Sequence, residues 1–203
     1  IEELHEMLIK GEVTSDELVK ESLELSHEVQ DKCNAFVTIL DDAKGVEVTD
    51  NLLSGIPYGV KDNYSTKGIL TTGSSNTLKD YVPFFDATAI ENLNKAGAVK
   101  INKTVMDEFG MGGTGTTGQT GIVRNPWDKT RMIGGSSAGS ASAVALGIVP
   151  SWIIGELVYW KKERYLNYFA AFEGCSTHLG TMVQGRRRRL QEDSTDRHCH
   201  SEG

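Results

Sequence analysis

No stretch of this chain approaches the roughly 20 consecutive apolar residues that a membrane span requires. The start carries no basic, apolar, cleavable leader of the secretory kind. Cysteine is scarce: Cys33, Cys175 and Cys199 are far apart and odd in number. That argues against a disulfide framework and fits a reducing compartment such as the cytoplasm. A surplus of positive charge is also missing. The net charge of −7 argues against tight, sequence-independent binding to nucleic acid. No internal repeat is present. No Gly-Lys-Ser/Thr follows a glycine-rich loop at the spacing of a phosphate-binding Walker loop.

What is present is a 203-residue chain with 38% hydrophobic and 24% charged residues, enough for one domain with a core. Its character changes near Pro150. Residues 1–150 hold 13 basic and 21 acidic side chains, whereas residues 151–203 hold 8 and 7. The sequence therefore divides into a domain over 1–150 and a divergent, poorly ordered tail over 151–203.

Along the first part, helical and extended patterns alternate. Residues 2–10 read as a short amphipathic helix stopped by Gly11. Thr14 and Glu17 have the spacing of a capping box, and the helix they open places Leu18, Val19, Leu23 and Val29 on one face. Residues 35–40 read as a strand, as do 58–61 after the Gly55-Ile56-Pro57 turn. Asp86 is the expected cap of a helix running to Lys95, with Gly97 as its stop. Residues 98–101 read as a buried strand, 138–146 as an Ala-rich helix, and Ile148-Val149-Pro150 as the start of another strand. Such alternation predicts an α/β fold. Six of the twelve residues in 110–121 are glycine. Two readings are open for that run: a flexible loop, or a backbone that must approach a ligand closely.

Two features could carry chemistry. Gly134-Gly135-Ser136-Ser137-Ala138-Gly139-Ser140 opens the Ala-rich helix. A helix N-terminus presents unpaired N–H groups and about half a positive charge, so this loop could hold a phosphate or stabilise an oxyanion. The plainer reading is a Ser cap with glycines for close packing. Lys61 ends a predicted strand. A strand-end lysine is usually solvated, but one in a dry site loses its proton more readily and can serve as a base for a serine hydroxyl.

Several motifs occur together and in order: Gly55-Ile56-Pro57-Tyr58-Gly59-Val60-Lys61-Asp62-Asn63, Thr71-Thr72-Gly73-Ser74-Ser75, Met106-Asp107-Glu108-Phe109-Gly110-Met111-Gly112-Gly113, Asn125-Pro126-Trp127-Asp128, and the run from Gly134 to Pro150. On these motifs, residues 1–150 resemble the amidase signature family. The Met-Asp-Glu-Phe run is similar to that of the A subunits of glutamine-dependent aspartyl/glutamyl-tRNA amidotransferases. The resemblance implies the N-terminal half of the amidase-signature α/β fold, a mixed sheet covered by helices. It implies Lys61 as catalytic base and Ser136 as the relay serine, held through a cis peptide bond. Thr71, Thr72 and Ser137 become candidates for the substrate and oxyanion loop. It further implies glutamine as substrate and B and C subunits as partners, with misacylated tRNA met only through the complex. ATP and magnesium belong with the B subunit, and this chain itself takes no cofactor and no metal. A bacterial cytoplasm is implied, with a mitochondrion or plastid as the alternative.

After Pro150 the family continues with Gly-Ser-Asp-Thr-Gly-Gly-Ser, whose last serine is the nucleophile. This chain reads Ser151-Trp152-Ile153-Ile154-Gly155-Glu156-Leu157-Val158-Tyr159-Trp160, and no serine lies between Ser151 and Ser176. Trp160 falls about where the nucleophile belongs. A relay pair without a nucleophile gives no acyl-enzyme. This is the pattern of a truncated or frame-shifted copy. A partial sheet would also leave an open edge and exposed apolar surface. The alternatives are a non-catalytic partner-binding fragment, a decayed gene product, a piece of a generic amidase, and, more remotely, a phosphate-binding enzyme of another class. In the tail, Arg186-Arg187-Arg188-Arg189 reads as a solvated run and His198-Cys199-His200 as a terminus rather than a metal site.

Overall fold

The computed structural model describes residues 1–153. Their elements are α1 (Glu2–Ile9), α2 (Ser15–Cys33), β1 (Phe36–Ile39), β2 (Pro57–Lys61), α3 (Thr88–Lys95), β3 (Val99–Thr104), α4 (Ala138–Ala145) and β4 (Ser151–Ile153), with short 3-10 turns at Asn76–Leu78 and Glu108–Gly110. The four strands form one mixed sheet in the order β1-β3-β2-β4. β1 is antiparallel to β3, while β2 runs parallel to both β3 and β4. This is the α/β arrangement expected from the alternating pattern.

The two faces of the sheet carry different chemistry. Successive strand residues point to opposite sides. Tyr58 and Val60 of β2 pack with Ile90 of α3, and Ala87, Leu93 and Ala98 close around them. The opposite face meets α2 and α4 and is polar. Asn102 Nδ2 donates to Ser26 Oγ of α2 at 3.4 Å, and Thr104 Oγ1 lies 2.7 Å from Ser140 Oγ of α4. α4 can come this close because its residues are small. A Cβ on Gly139 would sit 2.2 Å from the Ala35 carbonyl oxygen and 2.6 Å from Val105 N, so any side chain there would push the helix off the sheet. Helix α4 is buried over most of its surface, including Ala138, Ser140, Ser142, Ala143 and Val144.

α2 starts as its sequence predicts. Thr14 Oγ1 accepts from Glu17 N at 3.2 Å, and Glu17 Oε2 accepts from Thr14 N at 2.8 Å. Leu18, Val19 and Val29 are buried, as expected, but Leu23 is only half-buried, and Ser22 and Ser26 complete the stripe. Ser26 makes this possible by donating its hydroxyl to the Ser22 carbonyl at 2.7 Å. A second apolar cluster joins Leu4 and Leu8 of α1 to Leu18 and Ile56.

Two boundary expectations are corrected. Asp86 does not cap α3, whose N-cap is Ala87 with no side-chain hydrogen bond. The Asp86 carboxylate is drawn away by Lys67 N at 2.7 Å and Asn94 Nδ2 at 3.2 Å. The strand expected over 98–101 continues through Asn102, Lys103 and Thr104, all fully buried. Polar residues extend it because each finds a polar partner inside. Among the described residues, exposed apolar side chains include Phe84, Met111, Trp127 and Met132, each more than two-thirds accessible. Trp160, Arg186, Arg187, Arg188, Arg189, His198, Cys199 and His200 lie outside the described residues.

Candidate active site

Lys61 is the last residue of β2 and points to the polar face, alongside Thr104 in the sheet register. Its side chain is fully buried. Lys61 Nζ donates to Ser136 Oγ at 2.8 Å, across 75 residues of sequence. Ser136 is also buried, and the Gly135–Ser136 peptide bond is cis. The two residues singled out by the sequence are thus brought together by the end of β2 and the entry to α4. A lysine amine against a serine hydroxyl, out of water, can pass a proton to or from that hydroxyl.

Ser137 is the N-cap of α4 but makes no side-chain capping bond. Its Oγ is buried and has no hydrogen-bond partner among the described residues. Thr71 and Thr72 sit in the loop after β2, and their hydroxyls are engaged inside the protein. Thr71 Oγ1 donates to the Ile69 carbonyl and accepts from Lys103 Nζ at 2.9 Å. Thr72 Oγ1 donates to Asp62 Oδ2 at 2.6 Å and accepts from Gln119 Nε2 at 2.9 Å.

Those contacts belong to a charged cluster on the other face of the sheet. Lys103 Nζ donates to the Tyr64 carbonyl at 2.6 Å, Thr71 Oγ1 at 2.9 Å and Thr66 Oγ1 at 3.2 Å. An ammonium has three protons, and all three are used. Asp62 Oδ1, 3.7 Å from Lys103 Nζ, is therefore paired by charge rather than by a hydrogen bond. Asp62 Oδ2 accepts from Thr72 N at 3.0 Å and Ser74 N at 3.1 Å. Burial pushes the Lys103 amine down to about 8, with Asp62 opposing the shift. Burial likewise raises the Asp62 carboxyl, opposed by Lys103, Thr72 and Ser74.

The glycine-rich run has a ligand, and the ligand is internal. Asp107 Oδ2 accepts from Thr114 N at 3.2 Å and Gly115 N at 3.1 Å. Asp107 Oδ1 accepts from Thr116 N at 3.1 Å, Thr117 N at 3.3 Å and Thr117 Oγ1 at 2.9 Å. Consecutive backbone N–H groups curled around an anion form a nest. Burial alone would raise the Asp107 carboxyl. The bonds from Gly115, Thr117 and Thr116 outweigh it, so the carboxyl lies below its ordinary value.

Sequence reading passed over Asp62, Lys103 and Asp107. A carboxylate just ahead of a run of glycine and threonine was the available signal for Asp107. For Lys103 there was none, because a buried and a solvated lysine look alike in a strand.

The sequence model of the amidase family matches residues 17–153. The chain belongs to the amidase family. It is 48% identical to the A subunit of the glutamyl-tRNA(Gln) amidotransferase of Oenococcus oeni, over 72% of this chain and 32% of that protein. The corresponding protein of Streptococcus thermophilus is 46% identical over 73% of this chain and 32% of that protein. Among solved structures, the A subunit of the glutamyl-tRNA(Gln) amidotransferase of Thermotoga maritima superposes with a TM-score of 0.62 at 34% identity, covering 68% of this chain and 30% of that one. A 6-aminohexanoate cyclic dimer hydrolase superposes with a TM-score of 0.65 at 29% identity, covering 74% and 32%. The chain spans about a third of the length of the amidotransferase relatives it matches. No helix among the described residues is long and apolar enough to cross a membrane, and no cluster of three metal-ligating side chains occurs among them.

Proposed function

We propose that this chain carries the base-and-relay part of the amidase site of a tRNA-dependent amidotransferase, the part that belongs to its A subunit. The observation that supports this reading best is the 2.8 Å contact between Lys61 Nζ and Ser136 Oγ in a buried setting. In the proposed mechanism Lys61 takes a proton through Ser136 from an acylating serine, which attacks the side-chain amide of glutamine. Backbone N–H groups stabilise the oxyanion. Ser137 and the loop holding Thr71 and Thr72 border the substrate. Ammonia is released, and water resolves the acyl-enzyme. The assembled enzyme would include B and C subunits, with ATP, magnesium and misacylated tRNA handled by B. This proposed role places the protein in the cytoplasm, or in a mitochondrion or plastid.

The acylating serine has no counterpart in this chain. Where the family has its last motif serine the sequence reads Trp160, and the glycine-rich turn before it is absent. We therefore read residues 1–150 as part of an amidase domain whose sheet continues through β4 to Ile153, with a sequence beyond it that departs from the family motif. By itself the chain is inactive toward glutamine. The test is to incubate the intact purified chain with glutamine and measure ammonia. Release at the background rate supports the reading, and release at an enzymatic rate refutes it. A second reading, a non-catalytic fragment that binds amidotransferase partners, is favoured by the exposed Phe84, Met111, Trp127 and Met132. Retention of B and C subunits on the immobilised chain separates it from a product with no role.

A further inference from the structure

Asp107 joins three segments that are distant in sequence. It follows β3, its carboxylate fills the nest of residues 114–117, and its backbone N–H donates to the Ser136 carbonyl at 3.0 Å. A further contact is steric. A Cβ on Gly135 would lie 2.1 Å from Asp107 Oδ2, 3.0 Å from Gly115 N and 3.1 Å from Thr114 N. The backbone at Gly135 therefore rests directly on the carboxylate and on the amides that hold it. The neighbouring layer repeats the theme, with Gly139 N donating to the Val105 carbonyl at 2.9 Å. The peptide carrying Ser136 is thus fixed from below by residues 105–107 and from the side by a loop that the Asp107 carboxylate gathers.

We propose that Asp107 is a positioning residue for Ser136, acting through Gly135 and the 114–117 nest to hold the serine hydroxyl against Lys61. The assignment goes beyond the proposed function and rests on it only in calling the Lys61–Ser136 contact catalytic. A carboxylate is required because five donors converge on it. An amide would turn an NH2 group toward Thr114 N–H and Gly115 N–H, donor against donor. Position 135 must be glycine for the same reason that the carboxylate must be close.

The experiment uses the full chain labelled with 13C at serine Cβ, with Ser136 assigned by Ser136→Ala. Asp107→Asn, which keeps the shape, is compared with Thr117→Val, which removes one donor and leaves the carboxylate. Ser140, bonded to Thr104 from α4, is the internal reference. Thermal melts are recorded in parallel. The expected result is a displaced Ser136 resonance in both variants, larger in Asp107→Asn, with Ser140 unmoved. A crystal structure of Asp107→Asn should show Lys61 Nζ and Ser136 Oγ moved beyond hydrogen-bonding distance while the Lys103–Asp62 cluster is intact. If the melts fall but the Ser136 resonance and the Nζ–Oγ distance stay unchanged, Asp107 only anchors its loop and the proposal is overturned. If Asp107→Asn fails to fold, an unmoved Ser136 in Thr117→Val overturns it as well. Neither readout uses ammonia release, so the outcome is independent of whether the chain hydrolyses glutamine.

Discussion

Two lysines lie on neighbouring strands of one sheet, both fully buried, and they do different things. Lys103 faces the α3 side, where three oxygens use its three protons and the Asp62 carboxylate balances its charge. Lys61 faces the α4 side and meets the neutral hydroxyl of Ser136. Burial is common to both lysines, and the described contacts are the Lys103 cluster on one face and the Lys61–Ser136 bond on the other. Burial lowers the Lys103 amine to about 8, and the Asp62 carboxylate opposes that loss of the proton without outweighing it. A lysine against a hydroxyl has a partner with which it can exchange a proton. Strand alternation delivers each to its face, since Lys103 shares a sheet row with Val60 and Lys61 shares one with Thr104.

The sharpest way to break this contrast is to remove each amine in turn. Lys103→Met leaves Asp62 as a buried carboxylate without its counter-charge and should lower stability by about 3 to 5 kcal/mol. Lys61→Met, which removes the donor to Ser136 Oγ, is the comparison, and the Lys103→Met loss should be the larger. Urea unfolding of both variants checks this, and equal losses would erase the distinction.

A double-mutant cycle sharpens it further. Asp62→Asn combined with Lys103→Met should recover part of the sum of the single losses, with a coupling of about 1 to 3 kcal/mol. The same cycle between Asp62 and Lys61 should give a smaller value.

The alkaline limb offers a third comparison. The Lys103 amine is lowered from 10.5 to about 8 by burial. Between those values the unfolded chain holds a proton at this site that the folded chain has released. Stability referred to Lys103→Met should therefore rise with pH across that window, by about 1.4 kcal/mol per pH unit at most. A flat difference curve would mean that Lys103 titrates at its ordinary value. The smallest effect expected is at a remote site. Thr14→Ala removes the capping box of α2 and should cost about 1 kcal/mol while leaving both lysine sites unchanged.

How much of this was legible beforehand follows the same division. Lys61 and Ser136 could be named because each sits in an ordered motif, and Thr14 and Glu17 because capping is local in sequence. The helix–strand order was readable from periodicity. The Lys103 cluster was not, because its partners Tyr64, Thr66 and Thr71 are meaningful only once β2 and β3 lie side by side. The same holds for Asp86, which looks like a cap until Lys67 and Asn94 compete for it. The glycine-rich run allowed two readings, a flexible loop or a backbone that approaches a ligand closely, and the nest around Asp107 bears out close approach, to an internal carboxylate. The choice between them, and Asp107 as the partner, required the fold.

We propose that the buried Lys61–Ser136 pair stands as base and relay without the serine it would activate. The most direct measurement is the intact mass of the 203-residue chain after incubation with glutamine and acid quenching, beside Lys61→Met. The mass should be unchanged for both. A glutamyl adduct on the wild-type chain, absent from Lys61→Met, would refute this and show that another residue of this chain serves as nucleophile.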